Sequence, residues 1–228
     1  MNPQMVYCVA TRGWQDWKGC MMSWFRTAST KYPATVCKDM DVVPALQRLY
    51  EDTKEPILAY LHDDVIIHEK NWDVRVLKEF EDESIGLVSF TGALGHGRPD
   101  LYRVPYHLPD LARQVFISNM RDAETHGARF TGERDVAIAD GSTCFVRRSI
   151  LDKLDGWTKA APYGYWLYME WICCEVRRAG YRIRTVGVEF EHLGGKTSGH
   201  IATVPSYEDA HRFLYDNNRD VLPFRVKE

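Results

Sequence analysis

What most constrains the folding of this chain is a rhythm in its N-terminal part. Residues 5–10 (MVYCVA), 57–61 (ILAYL) and 85–90 (IGLVSF) are short apolar runs with no polar alternation. Strands that read this way are buried on both faces, as in parallel sheets covered by helices. Segments with helical spacing lie between them. Residues 14–29 form one, and Pro44 opens a second, with Ala45, Leu46 and Leu49 on one face. Proline in a first helical turn forfeits no hydrogen bond. In a third, residues 71–80, Trp72, Val76, Leu77 and Phe80 share a face. A further short strand is expected at 34–37. Strands alternating with helices predict an α/β fold with a mostly parallel central sheet flanked by helices.

The pattern changes at residues 92–138. Gly95, Gly97, Pro99, Pro105, Pro109, Gly127 and Gly132 punctuate an irregular stretch in which only residues 111–119 carry helical spacing. Long irregular segments inside a domain tend to be functional. Regular structure resumes with a strand at 139–146, a short helix from Arg148 and a turn at Gly156-Trp157. A helix over 165–179 follows, closed by Gly180, then a strand at 181–188 and a terminal helix at 206–217. There is no internal repeat, and 228 residues suit one well-buried core, so residues 1–228 are expected to form one domain.

Bulk properties narrow the partners. A formal charge of −3 creates no global basic field for nucleic acid or an anionic membrane. Arg177, Arg178, Arg182 and Arg184 read as a solvated helix edge and strand end, with a local basic face as the alternative. The N-terminus has no signal-peptide pattern, and no apolar run approaches the roughly 18–20 residues that span a bilayer. Six cysteines contain no C-x-x-C pair, and several sit in apolar runs where a thiol packs as a small hydrophobe. These features predict a reducing, cytoplasmic location, no disulfide framework, no cysteine zinc site and no stable membrane insertion.

The most informative motif is Leu61-His62-Asp63-Asp64-Val65, directly after a buried run. Ligands of open α/β sheets bind at the carboxyl ends of strands. Two adjacent carboxylates there call for a positive neighbour, and hard oxygen ligands suit Mg²⁺ or Mn²⁺, which in turn grips a diphosphate. A helix cap or a solvated turn is the alternative. This motif, the following Asn71-Trp72, the run Ile85-Gly86-Leu87-Val88 and Gly92 together resemble the GT-A glycosyltransferases, closest to the family-2-like group. The resemblance continues through residues 140–148 (DGSTCFVRR), Asp155-Gly156-Trp157, which is similar to the family's GG-F turn, and the helix that leads into Arg177-Arg178-Ala179-Gly180-Tyr181.

The resemblance implies a GT-A nucleotide-diphospho-sugar transferase fold. Residues 1–91 would bind the nucleotide sugar, 92–138 would form an acceptor insert, and 139–228 would be the acceptor and catalytic half. It makes Asp64 a metal ligand and His192 its partner, with Asp63 in support or on the ribose; a strand-end histidine bonded to backbone is the other reading of His192. His62 is a weak ligand, or a hydrogen-bonding or packing residue. Thr11, Arg12 and Asp39 fall where the family holds the nucleoside. Lys196 and Ser198, in Gly194-Gly195-Lys196-Thr197-Ser198, suit a diphosphate. The general base is Glu170 or Asp140. The family's two acids fall one position to either side of Glu170, at Met169 and Trp171, and an acid in a first helical turn is also favoured by the macrodipole. Gly141, Tyr165 and Trp166 are the acceptor-binding residues, with core packing the alternative for the aromatics.

The implied function is a metal-dependent transfer, with inversion, from a nucleotide-diphosphate donor, UDP-sugar foremost. The acceptor would be a glycan, a protein or a hydroxylated base in nucleic acid. Arg98, Arg103, His107, Arg113, Arg121, Arg129 and Arg134 of the insert would face it. Two alternatives stand beside this. A nucleotidyltransferase would carry a Gly-rich basic loop after the first strand, where this chain has Thr11-Arg12-Gly13-Trp14. A non-catalytic nucleotide-sugar-binding module is kept open by the offset of Glu170.

Overall fold

The structure, a computed structural model, describes residues 4–96, 116–121, 128–194, 207–222 and 224–226. The N-terminal elements are β1 (Met5–Thr11), α1 (Trp17–Thr27), β2 (Ala34–Lys38), α2 (Val42–Asp52), β3 (Ile57–Leu61), β4 (Val65–Ile67), α3 (Trp72–Glu79) and β5 (Ile85–Ser89). Short strands follow: β6 (Thr91–Ala93), β7 (Gly95–His96), β8 (Phe116–Ser118), β9 (Ala128–Arg129), β10 (Glu133–Val136) and β11 (Ile138–Ala139). The C-terminal part holds β12 (Thr143–Arg147), α4 (Arg148–Leu154), a 3-10 turn at Thr158–Tyr163, α5 (Gly164–Arg178), β13 (Arg182–Val186), β14 (Phe190–His192), α6 (Tyr207–Asn217) and β15 (Phe224–Arg225).

Seven strands make the central sheet in the order β10-β13-β5-β12-β3-β1-β2. Five run in one direction, and β12 and β10 oppose them. The expected mixed α/β architecture is thus present, and its period-two logic is visible in β1 and β3. Met5, Tyr7, Val9, Ile57, Ala59 and Leu61 face one helical layer, where Trp24 of α1 and Trp72 and Val76 of α3 pack. Val6, Cys8, Leu58 and Tyr60 face the other, covered by α2, α4 and α5. Both faces are buried, which is why these strands carry no polar alternation. Cys8, Cys144, Cys173 and Cys174 are buried in the second of these layers, and Cys20 is buried on α1.

Three expectations are corrected. The helix expected from residue 14 begins at Trp17, because Gly13, at φ +74, turns the chain first. Helical spacing at 111–119 misled: the described part, Phe116–Ser118, is strand β8, paired antiparallel with β6, and 111–115 lie outside the described residues. A sheet edge offered by β6 outcompetes local helical preference there. Short strands likewise run through the described parts of 92–138: β11-β6-β8-β9 form a four-stranded sheet, β7 pairs with β15, and β10 lies at the edge of the central sheet.

Candidate active site

The carboxyl ends of β1, β2 and β3 open on one edge of the central sheet. Thr143 at the start of antiparallel β12 pairs with Leu61 at the end of β3, so the turn 140–142 opens on the same edge. His62 donates its backbone N–H to Ser142 O (3.0 Å), locking the two turns together. After the turn, β4 is held from two sides. The Trp24 indole donates to Val65 O (2.7 Å), and β14 pairs with β4 so that His192 lies opposite Val65. This pairing, between strands far apart in sequence, delivers His192 to Asp64.

His192 Nε2 lies 3.2 Å from Asp64 Oδ1, and His62 Nδ1 lies 4.0 Å from the same oxygen. The imidazole rings of His62 and His192 are 5.5 Å apart. One donor atom from each of the three residues lies within 4.8 Å of the others, a group able to hold a metal ion. Ligands of a small dication at about 2.1 Å stand roughly 3–4 Å from one another, so this donor set fits a cation with little movement. Its electrostatics are those of a compact mixed cluster. Burial pushes Asp64 up, but the hydrogen bond and charge of His192 and the charge of His62 outweigh it, and the carboxyl titrates below its usual value. Burial lowers His192, yet its bond to Asp64 and the nearby carboxylates leave it raised. Enclosure and the facing His192 lower His62. Asp63 is raised, chiefly by burial, with Thr11 and Trp14 beside it pulling the other way and Asp64 adding to the rise.

Glu170 is 7% exposed and its pKa is pushed up to about 8. Burial is the main cause, opposed by its own backbone N–H and reinforced by Asp140. The offset from the family's pattern has a local structural counterpart. Leu167 leaves helical geometry (φ −132, ψ 16), so α5 is broken just before the turn that carries Glu170. Asp140 Oδ1 accepts the Ser142 N–H (2.8 Å), and Ala139 N–H points at the Cys173 sulfur (3.3 Å), which brings the Asp140 turn against α5.

The remaining expected site residues are distributed unevenly. Thr11 is buried, and its hydroxyl accepts the Gly13 N–H (2.9 Å), so it shapes the turn after β1. Arg12 is exposed and paired with Asp41 (2.8 Å). Asp39 is exposed at the end of β2 with φ +57, its N–H bonded to Thr11 O (3.0 Å). A Cβ at Gly141 would lie 2.6 Å from the Tyr168 hydroxyl, so α5 passes too close for any side chain there. Lys196 and Ser198 lie outside the described residues, as do Arg98, Arg103, His107 and Arg113; Tyr165 and Trp166 belong to α5, with only their backbone described. Sequence reasoning missed Tyr168, whose hydroxyl is 3.1 Å from His62 Nε2, and did not settle on His62 as a member of the metal group. No local pattern marks Tyr168.

No protein-family model matches the chain, and no curated protein matches it. Solved structures do. The mannosyltransferase PcManGT from Pyrobaculum calidifontis, in complex with GDP-Man and Mn²⁺, matches with TM-score 0.54 at 13% identity, over 97% of this chain and 72% of that one. GalNAc-T7 with UDP, GalNAc and Mn²⁺ matches with TM-score 0.59 at 11% identity, over 96% of this chain, which spans about half (52%) of that protein. The protein A197 from STIV matches with TM-score 0.51 at 13% identity, over 85% of this chain and 87% of that one. At such identities the likeness speaks to fold alone, and the fold it shows is the GT-A glycosyltransferase type.

Proposed function

We propose that this chain is a metal-dependent glycosyltransferase that moves a sugar from a nucleotide-diphosphate donor to an acceptor hydroxyl, with inversion at the anomeric carbon. The observation that carries the reading is the His62–Asp64–His192 group at the carboxyl edge of a GT-A-type sheet. Two imidazoles beside one carboxylate favour Mn²⁺ over Mg²⁺, and two solved structures of similar fold hold Mn²⁺ with a nucleotide or nucleotide sugar. Held by these three residues, the ion supplies positive charge against a departing diphosphate. Asp63, Arg12 and Asp39, with Thr11 shaping the turn, take the nucleoside of a UDP-sugar, and Lys196 and Ser198 take the diphosphate.

Glu170 accepts the proton of the acceptor hydroxyl. A carboxyl with a pKa near the working pH is a better proton acceptor than an ordinary glutamate, and the burial that raises Glu170 supplies this. Asp140, beside it, orients the 140–142 turn through its bond to Ser142 and is the alternative base. The acceptor, a glycan or a hydroxylated nucleobase, approaches residues 92–138, Gly141 of the 140–142 turn, and Tyr165 and Trp166 at the start of α5. In this reading the chain acts as one unit, with residues 1–91 serving the donor and 139–228 the acceptor.

The test is a calorimetric titration of UDP and of GDP, with and without Mn²⁺, on the wild type and on Asp64→Ala. Binding that requires Mn²⁺ and is lost in the variant supports the proposal. Absence of binding by either nucleotide with any cation overturns it. A second reading, nucleotide-sugar binding without transfer, draws on the same Glu170 pKa, which leaves the carboxyl uncharged at neutral pH. Tight donor binding with neither hydrolysis nor transfer would favour that reading.

A further inference from the structure

The imidazole of His62 faces two partners, one through each nitrogen. Nδ1 points toward Asp64 Oδ1 at 4.0 Å, and Nε2 lies 3.1 Å from the Tyr168 hydroxyl. A neutral imidazole carries its proton on one nitrogen only, and the other offers the lone pair. For Nδ1 to serve a cation shared with Asp64 and His192, the proton must sit on Nε2, and Nε2–H then needs an acceptor. Tyr168 oxygen is at hydrogen-bond distance for that role. Partners of this kind, on the far nitrogen of a metal-binding histidine, orient the ring and select its tautomer.

Tyr168 is itself firmly placed. It is 8% exposed and packs edge-on against Trp157, with ring centres 6.1 Å apart at 68°. Trp157 is fixed in turn by its indole N–H to Tyr60 Oη (3.0 Å) and its backbone N–H to Gln47 Oε1 (2.6 Å). On the other side is Gly141, where a Cβ would stand 2.6 Å from the Tyr168 hydroxyl and 2.9 Å from Met169 Cγ. Such approaches force a shift, so the bare backbone at 141 is what admits the hydroxyl to His62. The break at Leu167 immediately precedes Tyr168 and ends the regular helical path just before the turn that carries it.

We propose that Tyr168 is a positioning residue for the cation site: its hydroxyl accepts the His62 Nε2–H, and so holds the Nδ1 lone pair toward the ion. Gly141 is the second part of the device. The inference rests on the metal reading above and goes beyond it, since it assigns Tyr168 to His62 rather than to the ion or the donor.

The experiment is a Mn²⁺ titration of the full chain followed by the electron paramagnetic resonance of free Mn²⁺, for wild type, Tyr168→Phe, His62→Ala and the double variant. Thermal unfolding of each checks folding. The expected result is that Tyr168→Phe weakens Mn²⁺ binding about 10–100-fold, that His62→Ala weakens it at least as much, and that the double variant is no weaker than His62→Ala. Gly141→Ala, which displaces the same hydroxyl, is expected to match Tyr168→Phe and serves in its place if that variant does not fold. Wild-type affinity in a folded Tyr168→Phe or Gly141→Ala overturns the inference while leaving the metal reading intact. Losses that multiply in the double variant also overturn it, because Tyr168 would then act by a route other than His62. A wild type that binds no Mn²⁺ overturns the metal reading itself, and the role of Tyr168 with it.

Discussion

Replacing Glu170 by glutamine separates a carboxyl kept for chemistry from one kept for helix stability. Glu170 has an ordinary value near 4.5 that is raised to about 8 in the fold, chiefly by burial. Below pH 4.5 the group is protonated in both folded and unfolded chains and has no effect on the difference between them. As pH rises past that value, the unfolded chain ionises while the folded chain keeps its proton. Stability then falls by about 1.4 kcal/mol per pH unit until the folded group also ionises near pH 8. At pH 7 the accumulated loss is about 3 kcal/mol, a large share of the roughly 5–15 kcal/mol that holds a domain together. Glutamine has nearly the same shape, can accept the same backbone N–H and cannot ionise. Glu170→Gln should therefore be about 2–3 kcal/mol more stable than wild type at pH 7, nearly equal to it at pH 4.5, and inactive in sugar transfer. Urea unfolding of both proteins at pH 5 and pH 8 measures this, provided the m-values match. A glutamate serving the helix dipole gives the opposite sign, because its charge then stabilises the fold at pH 8. A variant less stable than wild type at pH 8, or a difference that does not change with pH, refutes the reasoning. Greater stability combined with lost activity is the usual mark of a functional group that the fold tolerates at a cost.

Other predictions follow from the same geometry. Mn²⁺ affinity should rise with pH and level off only above the ordinary histidine range, because His192 is raised and must lose its proton to ligate; titrations at pH 6, 7 and 8 check this, and a flat profile counts against His192 as a ligand. Trp24→Phe leaves Val65 O without its indole donor and should destabilise the chain by about 1–3 kcal/mol, with weaker Mn²⁺ binding because β4 frames Asp64; chemical denaturation and the metal titration report the two effects. Asp73 is fully buried and accepts from Ser29 N, Ser29 Oγ, Thr30 N and Tyr32 Oη, so Asp73→Ala should cost about 3–5 kcal/mol with no effect on nucleotide affinity in whatever fraction remains folded.

The local patterns of the sequence were enough for six strands of the central sheet; β10, at its edge, falls in the stretch that reads as irregular. The apolar runs at β1, β3 and β5 and the spacing of Trp72 and Val76 on α3 express burial on both sides, which depends only on which residue types avoid water. Residues 111–119 show the limit: their helical spacing yielded at Phe116–Ser118 to pairing with Thr91–Ala93, a partner that local pattern does not contain. At the site, Asp64 could be marked because it follows a buried strand directly, and the family resemblance pointed to His192. The remaining relations are long-range. His192 meets Asp64 through β14–β4 pairing, His62 meets Tyr168 across 106 positions, and Glu170 acquires its raised pKa only when α5 is laid over the Asp140 turn. By itself the sequence determined the α/β sheet, its buried faces and the acidic strand end, because these follow from periodicity and residue chemistry. Which histidines join Asp64, what fixes their rings and how strongly Glu170 holds its proton were decided by tertiary structure, because distance and desolvation exist only once the elements are packed.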